Sequence, residues 1–576
     1  MTTPTRGSLI CWQPPSTAPG EPAGHSCAVF SCDREIIGKD GTPIAIDPER
    51  SLAQTVYLSG AFYPPPLCSG LGTCGQCRMR ILEKLPPPHP GDLRFFSTAE
   101  LGMGWRLGCL HRPAPDMLVA LPPAKPVLPD GPALHEVGGL ACNEQQGACQ
   151  PFLAIDLGTT SLQWVATDGI RKISGSRVNP QMGAGGDVVS RLAYAATGKG
   201  MGLLHALTCR AVSDIVQEIQ GSGLDPLSIV LAANPAMTAI ALGLGSDSAK
   251  SLGQAPYALP PELLPGAGNP HQLPDLPPLW AVPALAPFVG GDIAAGYLAL
   301  KRGQNQPSFP FLLADMGTNG EFLLALAPDR AIIGSVALGP ALEGASLSFG
   351  AEARPPVVTS FVLTPQGLEP VQLRSGSQGP PLGLATPGAQ GISGTGYLSL
   401  LHRLRLARAL REDGTFWPQA PLLARQRAAL EALAVGQAMP DEPCWPLPGG
   451  MYLKASDVEE ILKVKAAFNL GLVRLLREAG LDWHDLSAVY LAGALGRYVD
   501  PAALETLGFI PPGAKVRAVG NTSLAGAVAL GRAPHLWQEL EIWARGVACL
   551  HLAEDAYFSR NYVANMTFSF VTQEIE

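Results

Sequence analysis

Four cysteines carry the first piece of chemistry in this 576-residue chain. The stretch "CSGLGTCGQC", Cys68 to Cys77, spaces three thiols as C-x5-C-x2-C with glycines between them. Cys109, in "WRLGCLHRP", extends the pattern to C-x5-C-x2-C-x31-C, enough for a four-thiolate metal site. A loop wrapping a metal group must turn tightly and aim backbone N–H groups at sulfur, and Gly70, Gly72 and Gly75 permit the positive φ this needs. Such a set holds either a [2Fe–2S] cluster or Zn²⁺. Zinc sites usually join two close C-x2–4-C pairs. Cys109 has no cysteine beside it, which favours iron and sulfide; unliganded thiols are the third reading. Of the remaining cysteines, Cys27 with Cys32 and Cys142 with Cys149 lie close enough for a second metal site, but plain thiols are the simpler reading.

A repeated turn carries the second piece. "DLGTTS", from Asp156, and "DMGTNG", from Asp315, each follow an apolar run and share D-x-G-T, 159 residues apart. A Gly-Thr turn between two strands presents backbone N–H groups and hydroxyls that suit phosphate oxygens. An Asp at the end of the first strand can hold Mg²⁺, usually through water. Two facing copies would grip one triphosphate between two lobes. A single D-x-G-T also occurs in ordinary hairpins, and a duplicated hairpin without a ligand is the bland alternative. The downstream "YLAGALG" adds weight to the nucleotide reading.

These residues need elements to position them. Residues 1–25, rich in Pro, Ser and Gly, read as a flexible extension. Residues 26–123 hold strand-like pieces, "CAVF", "PIAID", "CRMRIL" and "MLVALP", and one short helix, "PERSLAQTVYLSG"; a small β-rich domain fits. Residues 124–150 lack periodicity and read as a linker. Residues 151–576 read as one domain of two similar lobes, with the second phosphate hairpin near 311–327. A long helix is predicted over 457–479, with Ser456 as N-cap, Glu459 completing a capping box and Gly480 as the stop. "AVYLAG" reads as a buried strand ending in "GALG", Gly493 to Gly496. The fold class is α/β, multidomain.

The bulk numbers exclude several classes. A net charge of −8 gives no electrostatic reason to expect nucleic acid. No window offers about 20 clean apolar residues, so no membrane span is predicted, and the N-terminus lacks a signal-peptide core. A cytoplasmic protein follows, and in that reducing compartment clustered cysteines are ligands more often than disulfides.

The cysteine loop and its strands resemble the β-grasp fold of [2Fe–2S] ferredoxins, with one more residue in the first gap than the plant type, as in the adrenodoxin-like branch. The paired turns are similar to those of acetate and sugar kinases, heat-shock 70-type chaperones and actin, a duplicated ribonuclease-H-like fold. That resemblance implies a phosphate-1 hairpin of Asp156, Gly158, Thr159 and Thr160, and a phosphate-2 hairpin of Asp315, Gly317, Thr318 and Asn319. It implies nucleotide contacts from Gly493, Ala494 and Gly496 on the adenosine side, and from Asn521 in "GNTSLAGA". Asp156 and Asp315 would position Mg²⁺ and the attacking water. Glu321 and Glu343 are candidates for the carboxylate that orients this water, or are structural acceptors.

The whole layout resembles the reductive activators of corrinoid proteins, through "FVGGDIAAG", "DMGTNGEF", "GPALEGAS", "VKAAFNLGL", "VYLAGALGRYVDP", "GNTSLAGA" and "YFSRNYVANMTF". The resemblance implies ATP-dependent, one-electron reduction of an inactive Co(II) corrinoid protein to Co(I), from a [2Fe–2S] cluster, in a methyltransferase system. It also implies an upstream electron donor and a homodimer through the ATPase domain. A one-electron gap of ~150 mV costs roughly 3.5 kcal/mol, which nucleotide coupling can supply. The chain departs from the family at Ala494, where a second glycine is usual, and at Ser393, where relatives often carry Cys. Some relatives carry a small domain between ferredoxin and ATPase; about 28 residues stand there in this chain, spanning ~30 Å as flexible coil. Other classes remain open. They are an ATP-gated redox-sensing binding or chaperone module and a ferredoxin-fused small-molecule kinase; a dehydratase-type activator would hold [4Fe–4S] at a dimer interface and lack a ferredoxin domain, so the C-x5-C-x2-C motif argues against it.

Overall fold

The computed structural model describes residues 8–12, 42–122, 149–253, 259, 261–263, 270–372, 391–417 and 442–572. Short gaps within these ranges include Cys68, Cys74, Thr318, Ala494 and Gly496. "CAVF", Cys27, Cys32, Cys142 and most of the expected linker lie outside the described residues.

The first sheet has five strands: β1 (Ser8–Trp12), β2 (Thr42–Ala45), β3 (Arg78–Glu83), β4 (Trp105–Leu107) and β5 (Leu118–Ala120), in the order β2-β1-β5-β3-β4. β1 falls inside residues 1–25, expected to be a flexible extension. Instead it pairs antiparallel with β2 and parallel with β5, because its ladder groups and those of β5 satisfy one another. Helix α1 (Leu52–Tyr57) is capped by the Ser51 hydroxyl and lays Leu52 and Val56 into a core with Met79, Leu107 and Val119.

Two larger sheets follow, and they share one plan. Lobe I holds β6 (Phe152–Leu157), β7 (Ser161–Thr167), β8 (Lys172–Val178), β9 (Ser228–Ala233) and β10 (Leu279–Ala281), ordered β10-β9-β6-β7-β8. Lobe II begins with β11 (Phe311–Met316), β12 (Asn319–Ala327) and β13 (Arg330–Ala337). Two small hairpins intervene, β14 (Val358–Thr364) with β15 (Gly367–Gln372) and β16 (Cys444–Pro446) with β17 (Tyr452–Lys454). β18 (Val489–Ala492), β19 (Val516–Gly520) and β20 (Ala548–Leu550) complete the order β19-β18-β11-β12-β13-β20. Each lobe is therefore an antiparallel three-strand meander beside a parallel pair, and among the described residues β20 is the one edge strand without a counterpart.

Helices α2 (Val188–Ala195) and α3 (Gly200–Gly221) cover the outer face of lobe I. α5 (Gly394–Leu406) and α6 (Ala455–Ala479) cover that of lobe II. Between the lobes, α4 (Gly291–Arg302) crosses α7 (Thr522–Arg532). Gly526 makes this crossing close: a side chain there would run into the Ala295 carbonyl.

Strand alternation decides which residues face the cleft. In β6, Leu153, Ile155 and Leu157 face the outer core; Phe152 and Ala154 face the core shared by the lobes. In β11, Leu312, Ala314 and Met316 face outward, with Phe311 and Leu313 on the shared side. Burying each large side chain contributes roughly 1.5–3 kcal/mol, so a register slip in either strand is heavily disfavoured. Asp156 and Asp315 have the parity of the shared face.

The long helix starts at Ala455 rather than 457, and Ser456 is not its cap. Asp457 does that work: its carboxylate accepts the Lys454 N–H at 3.0 Å and the Ser348 N–H at 2.8 Å, a double task beyond one serine hydroxyl. The stop at Gly480 is as predicted, with φ of 66°. Among the described residues no helix is long and apolar enough to cross a membrane.

Candidate active site

Each hairpin delivers a pair of polar side chains to the shared face. The register of β6 and β7 sets Asp156 opposite Gln163; that of β11 and β12 sets Asp315 opposite Glu321. Asp292 joins them from the first turn of α4. From α7, Asn521 donates through Nδ2 to Asp156 Oδ2 at 2.6 Å and to Gln163 Oε1 at 3.1 Å. The Ser523 hydroxyl donates to Asp156 Oδ1 at 2.9 Å. Asn521 also accepts the Leu524 N–H at 2.7 Å, so it caps α7 while holding the lobe I hairpin.

The carboxylates are unusual acids. Burial raises Asp156, and the hydrogen bonds from Asn521 and Ser523 work against that rise. Burial, then the charges of Asp292, Asp156 and Glu343, push Asp315 up to about 7. Asp292 rises to about 6, again chiefly through burial. Glu321, 6% exposed, is raised well above the usual carboxylate range by burial and by Asp292 and Asp315. It shares a hydrogen bond with Asp292. Among the described residues, no three His, Cys, Asp or Glu side chains converge closely enough to hold an ion unaided.

The turn between β6 and β7 is held from behind. Asn179 donates its N–H to the Thr160 carbonyl at 2.9 Å and its Nδ2 to that of Gly158 at 2.8 Å. The Arg191 guanidinium donates to the Thr159 carbonyl. Three successive carbonyls thus turn one way, and the Thr159 and Thr160 N–H groups make no bond among the described residues. That is the form of an anion-binding turn. The Thr160 hydroxyl donates to Glu343 Oε2 at 2.8 Å, so Glu343 reaches the lobe I turn from lobe II.

In lobe II the Gly317 N–H bonds the Asn319 carbonyl at 3.1 Å. Gly493, with φ of 79°, stands directly against Asp315: a Cβ would collide with Oδ1. Thr318, Ala494 and Gly496 lie outside the described residues.

The structure thus brings Asp156, Asp315, Glu321, Glu343, Gly493 and Asn521 together. Asp292, Gln163, Ser523, Asn179 and Arg191 are additions that sequence reasoning missed. One signal for Asp292 was available: "GGDIAAG" (290–296) and "GNTSLAG" (520–526) align glycine on glycine and open the two crossing helices.

The cysteine site is partly described. Pairing of Arg78 with Leu107 sets Cys77 level with Gly108, whose N–H bonds the Cys77 carbonyl at 2.8 Å, so Cys109 arrives beside Cys77. Both line a cavity of about 410 Å³ with Gln54, Gly70, His111 and Met182. Gly70, Gly72 and Gly75 have φ of 88°, 69° and 64°. Cys68 and Cys74 lie outside the described residues.

Twin lobes closing on paired Asp hairpins, with two helices crossing beneath, define an ATPase fold of the actin and sugar-kinase class. Two family models match the chain: the middle region of RACo over residues 152–304, and its C-terminal domain, described as the ASKHA domain, over 310–575. The chain belongs to the RACo family. Among curated relatives, the corrinoid activation enzyme RamQ of Eubacterium limosum is 26% identical over 442 residues, 72% of this chain and 70% of that protein. The [Co(II) methylated amine-specific corrinoid protein] reductase of Methanosarcina barkeri is 30% identical over 254 residues, 42% of each. A solved structure of a reductive activator for corrinoid, iron-sulfur protein shares the fold, with a TM-score of 0.61 at 19% identity, over 92% of this chain and 97% of that one.

Proposed function

We propose that this chain is an ATP-dependent corrinoid protein reductase: it returns an inactive Co(II) corrinoid protein to Co(I), using an electron from a [2Fe–2S] cluster and hydrolysis of ATP. The observation that carries this reading is that one chain holds both a buried carboxylate floor between duplicated phosphate hairpins and a cysteine-lined cavity. RamQ is named a corrinoid activation enzyme and the Methanosarcina protein a reductase of a Co(II) corrinoid protein, which supports the reading.

Cys77 and Cys109 fit a cluster ligand set, since they are adjacent in space, line one cavity and stand beside a loop of positive-φ glycines. Cys68 and Cys74 would complete it. Asp156, Asp292 and Asp315 fit Mg²⁺: crowded, desolvated carboxylates favour a divalent cation that keeps its waters and takes further oxygens from phosphate. When bound, the cluster supplies the single electron and Mg²⁺ the neutralising charge on phosphate.

The chain's own residues do the rest. Thr159 and Thr160 offer two N–H groups to phosphate oxygens. Asn521 and Ser523 orient Asp156. Asp315, packed against Gly493 with Asp292 beside it, would position Mg²⁺ and the attacking water. Glu321, raised by burial and by the neighbouring Asp292 and Asp315, shares a hydrogen bond with Asp292. Glu343, bonded to Thr160, closes the site from lobe II.

The cluster half of the reading has a direct test. Purified protein is expected to show the absorption and EPR signals of a [2Fe–2S] cluster, and Cys74→Ser or Cys109→Ser to abolish them. Colourless protein carrying stoichiometric zinc would overturn it.

A further inference from the structure

The segment from Asn179 to Arg191 touches two places at once. On its inner side it holds the phosphate-1 turn by the carbonyls of Gly158, Thr159 and Thr160. On its outer side it is the seat of the N-terminal sheet. Leu58, at the end of α1, is 2% exposed and is counted into the core of lobe I with Leu153 and Ile155. A side chain on Gly183 would meet Leu58 and Tyr57 at 3.1 Å, and one on Gly186 would run into the Leu67 carbonyl, one residue before Cys68. Met182 and Gly183 also form one wall of the cavity that holds Cys77 and Cys109.

Arg191 joins the two sides. It is fully buried, and its guanidinium donates to the Thr159 carbonyl, to the Gly185 carbonyl at 2.9 Å and, weakly, to Gln181 Oε1 at 3.4 Å. The sulfurs of Met182 and Met237 lie 3.1 Å away. One rigid, planar group thus spans the turn and both ends of the strap, which a lysine, with one point of contact, cannot do.

We propose that Arg191 is a positioning residue that couples the phosphate-1 turn to the seat of the N-terminal sheet, so that nucleotide at the turn loosens that seat and uncovers the cysteine cavity. The proposal rests on the ATP reading above. Phosphate oxygens would draw the Thr159 and Thr160 N–H groups toward the cleft, away from the carbonyl side. Arg191 passes that displacement to residues 181–185, and Tyr57, Leu58 and Leu67 lose their fit. The electron is then exposed to a partner only when nucleotide is in place.

Hydrogen–deuterium exchange of the full chain, with and without Mg·AMPPNP, tests this. Exchange in 156–160 is expected to slow at least about tenfold, and exchange in 52–58 to rise at least about threefold. In Arg191→Gln the 52–58 response disappears, and the KM for ATP rises about tenfold while kcat stays within about threefold. Arg191→Lys is expected to recover the KM but not the response. Leu58→Ala, which leaves the phosphate-1 turn untouched, is expected to raise 52–58 exchange without nucleotide and to keep ATP hydrolysis within about twofold; it stands in if the Arg191 variants do not fold. If Mg·AMPPNP slows 156–160 while 52–58 does not respond, the coupling is wrong and the ATP reading survives. If 156–160 does not slow, the ATP reading falls and the coupling with it.

Discussion

In lobe I, β6 delivers Asp156 opposite Gln163; Asn521 Nδ2 donates to both, and the Ser523 hydroxyl donates to Asp156. In lobe II, β11 delivers Asp315 opposite Glu321, within reach of Asp292 and Glu343 charges and packed against Gly493. The backbone frame is the same: an antiparallel hairpin beside a parallel strand, with a helix entering from the far pair. The chemistry on it is not. One aspartate is anchored by hydrogen bonds that favour its charged form; the other sits among acids that disfavour it. The same frame places a carboxylate at each hairpin tip and burial raises both; what differs is the company, with neutral Asn521 and Ser523 bonded to Asp156 and the acids Asp292 and Glu343 around Asp315.

Breaking the acid-rich half is expected to do most damage. On the proposed reading Asp315→Ala removes a carboxylate that positions both the attacking water and the cation, so kcat for ATP hydrolysis is expected to fall about 10³-fold in a folded protein. Asp156→Asn keeps the shape but removes one charge and replaces one of the two accepting oxygens with a donor; a fall of about 10²-fold is expected. If the two substitutions cost the same, the division between the lobes is wrong. Asn521→Ala sharpens the point from the other side. It releases Asp156 and uncaps α7, so a loss of about tenfold in activity should accompany about 1 kcal/mol of stability in chemical denaturation.

The smallest effect is a pH dependence. Asp315 and Asp292 hold protons more tightly in the folded chain, at about 7 and about 6, than at their usual 3.8. The folded state therefore binds more protons than the unfolded one between these values. Their contribution to stability is complete below about pH 4 and is lost as pH rises toward 7. Lys465, pulled by burial to about 7 from 10.5, acts only above that range, where it adds stability with rising pH. Without nucleotide or divalent cation, melting temperature is expected to drop by a few degrees between about pH 4.5 and 6.5. Asp315→Asn should flatten that slope. Saturating Mg²⁺ with nucleotide should flatten it too, because a cation replaces the protons.

The hairpins were legible in the sequence because everything that defines them is local: an apolar alternation, an Asp, a Gly-Thr turn. Asn521 was legible only through resemblance, and its true work, bonding Asp156 across 365 residues, is a product of the fold. Asp292 and Arg191 were not seen for the same reason. Asp292 had only the faint likeness of "GGDIAAG" to "GNTSLAG" to mark it, and an Arg in a short helix says nothing until the strap brings it to the turn. Two local readings also failed. Ser456 looked like a cap, but the cap of α6 uses Asp457, whose second bond goes to Ser348 in a distant loop. Residues 8–12 sit in a Pro-, Ser- and Gly-rich stretch, yet "SLICW" supplies the strand between β2 and β5.

The central claim is that nucleotide hydrolysis at this carboxylate floor drives electron delivery from the cysteine site to cobalt. Reduced protein, Mg·ATP and a Co(II) corrinoid protein should be mixed anaerobically and the Co(I) absorption spectrum followed. The account predicts Co(I) with ATP, none without it, and none from Asp315→Ala even though that variant still binds the corrinoid protein. Co(I) appearing equally fast without ATP would contradict it.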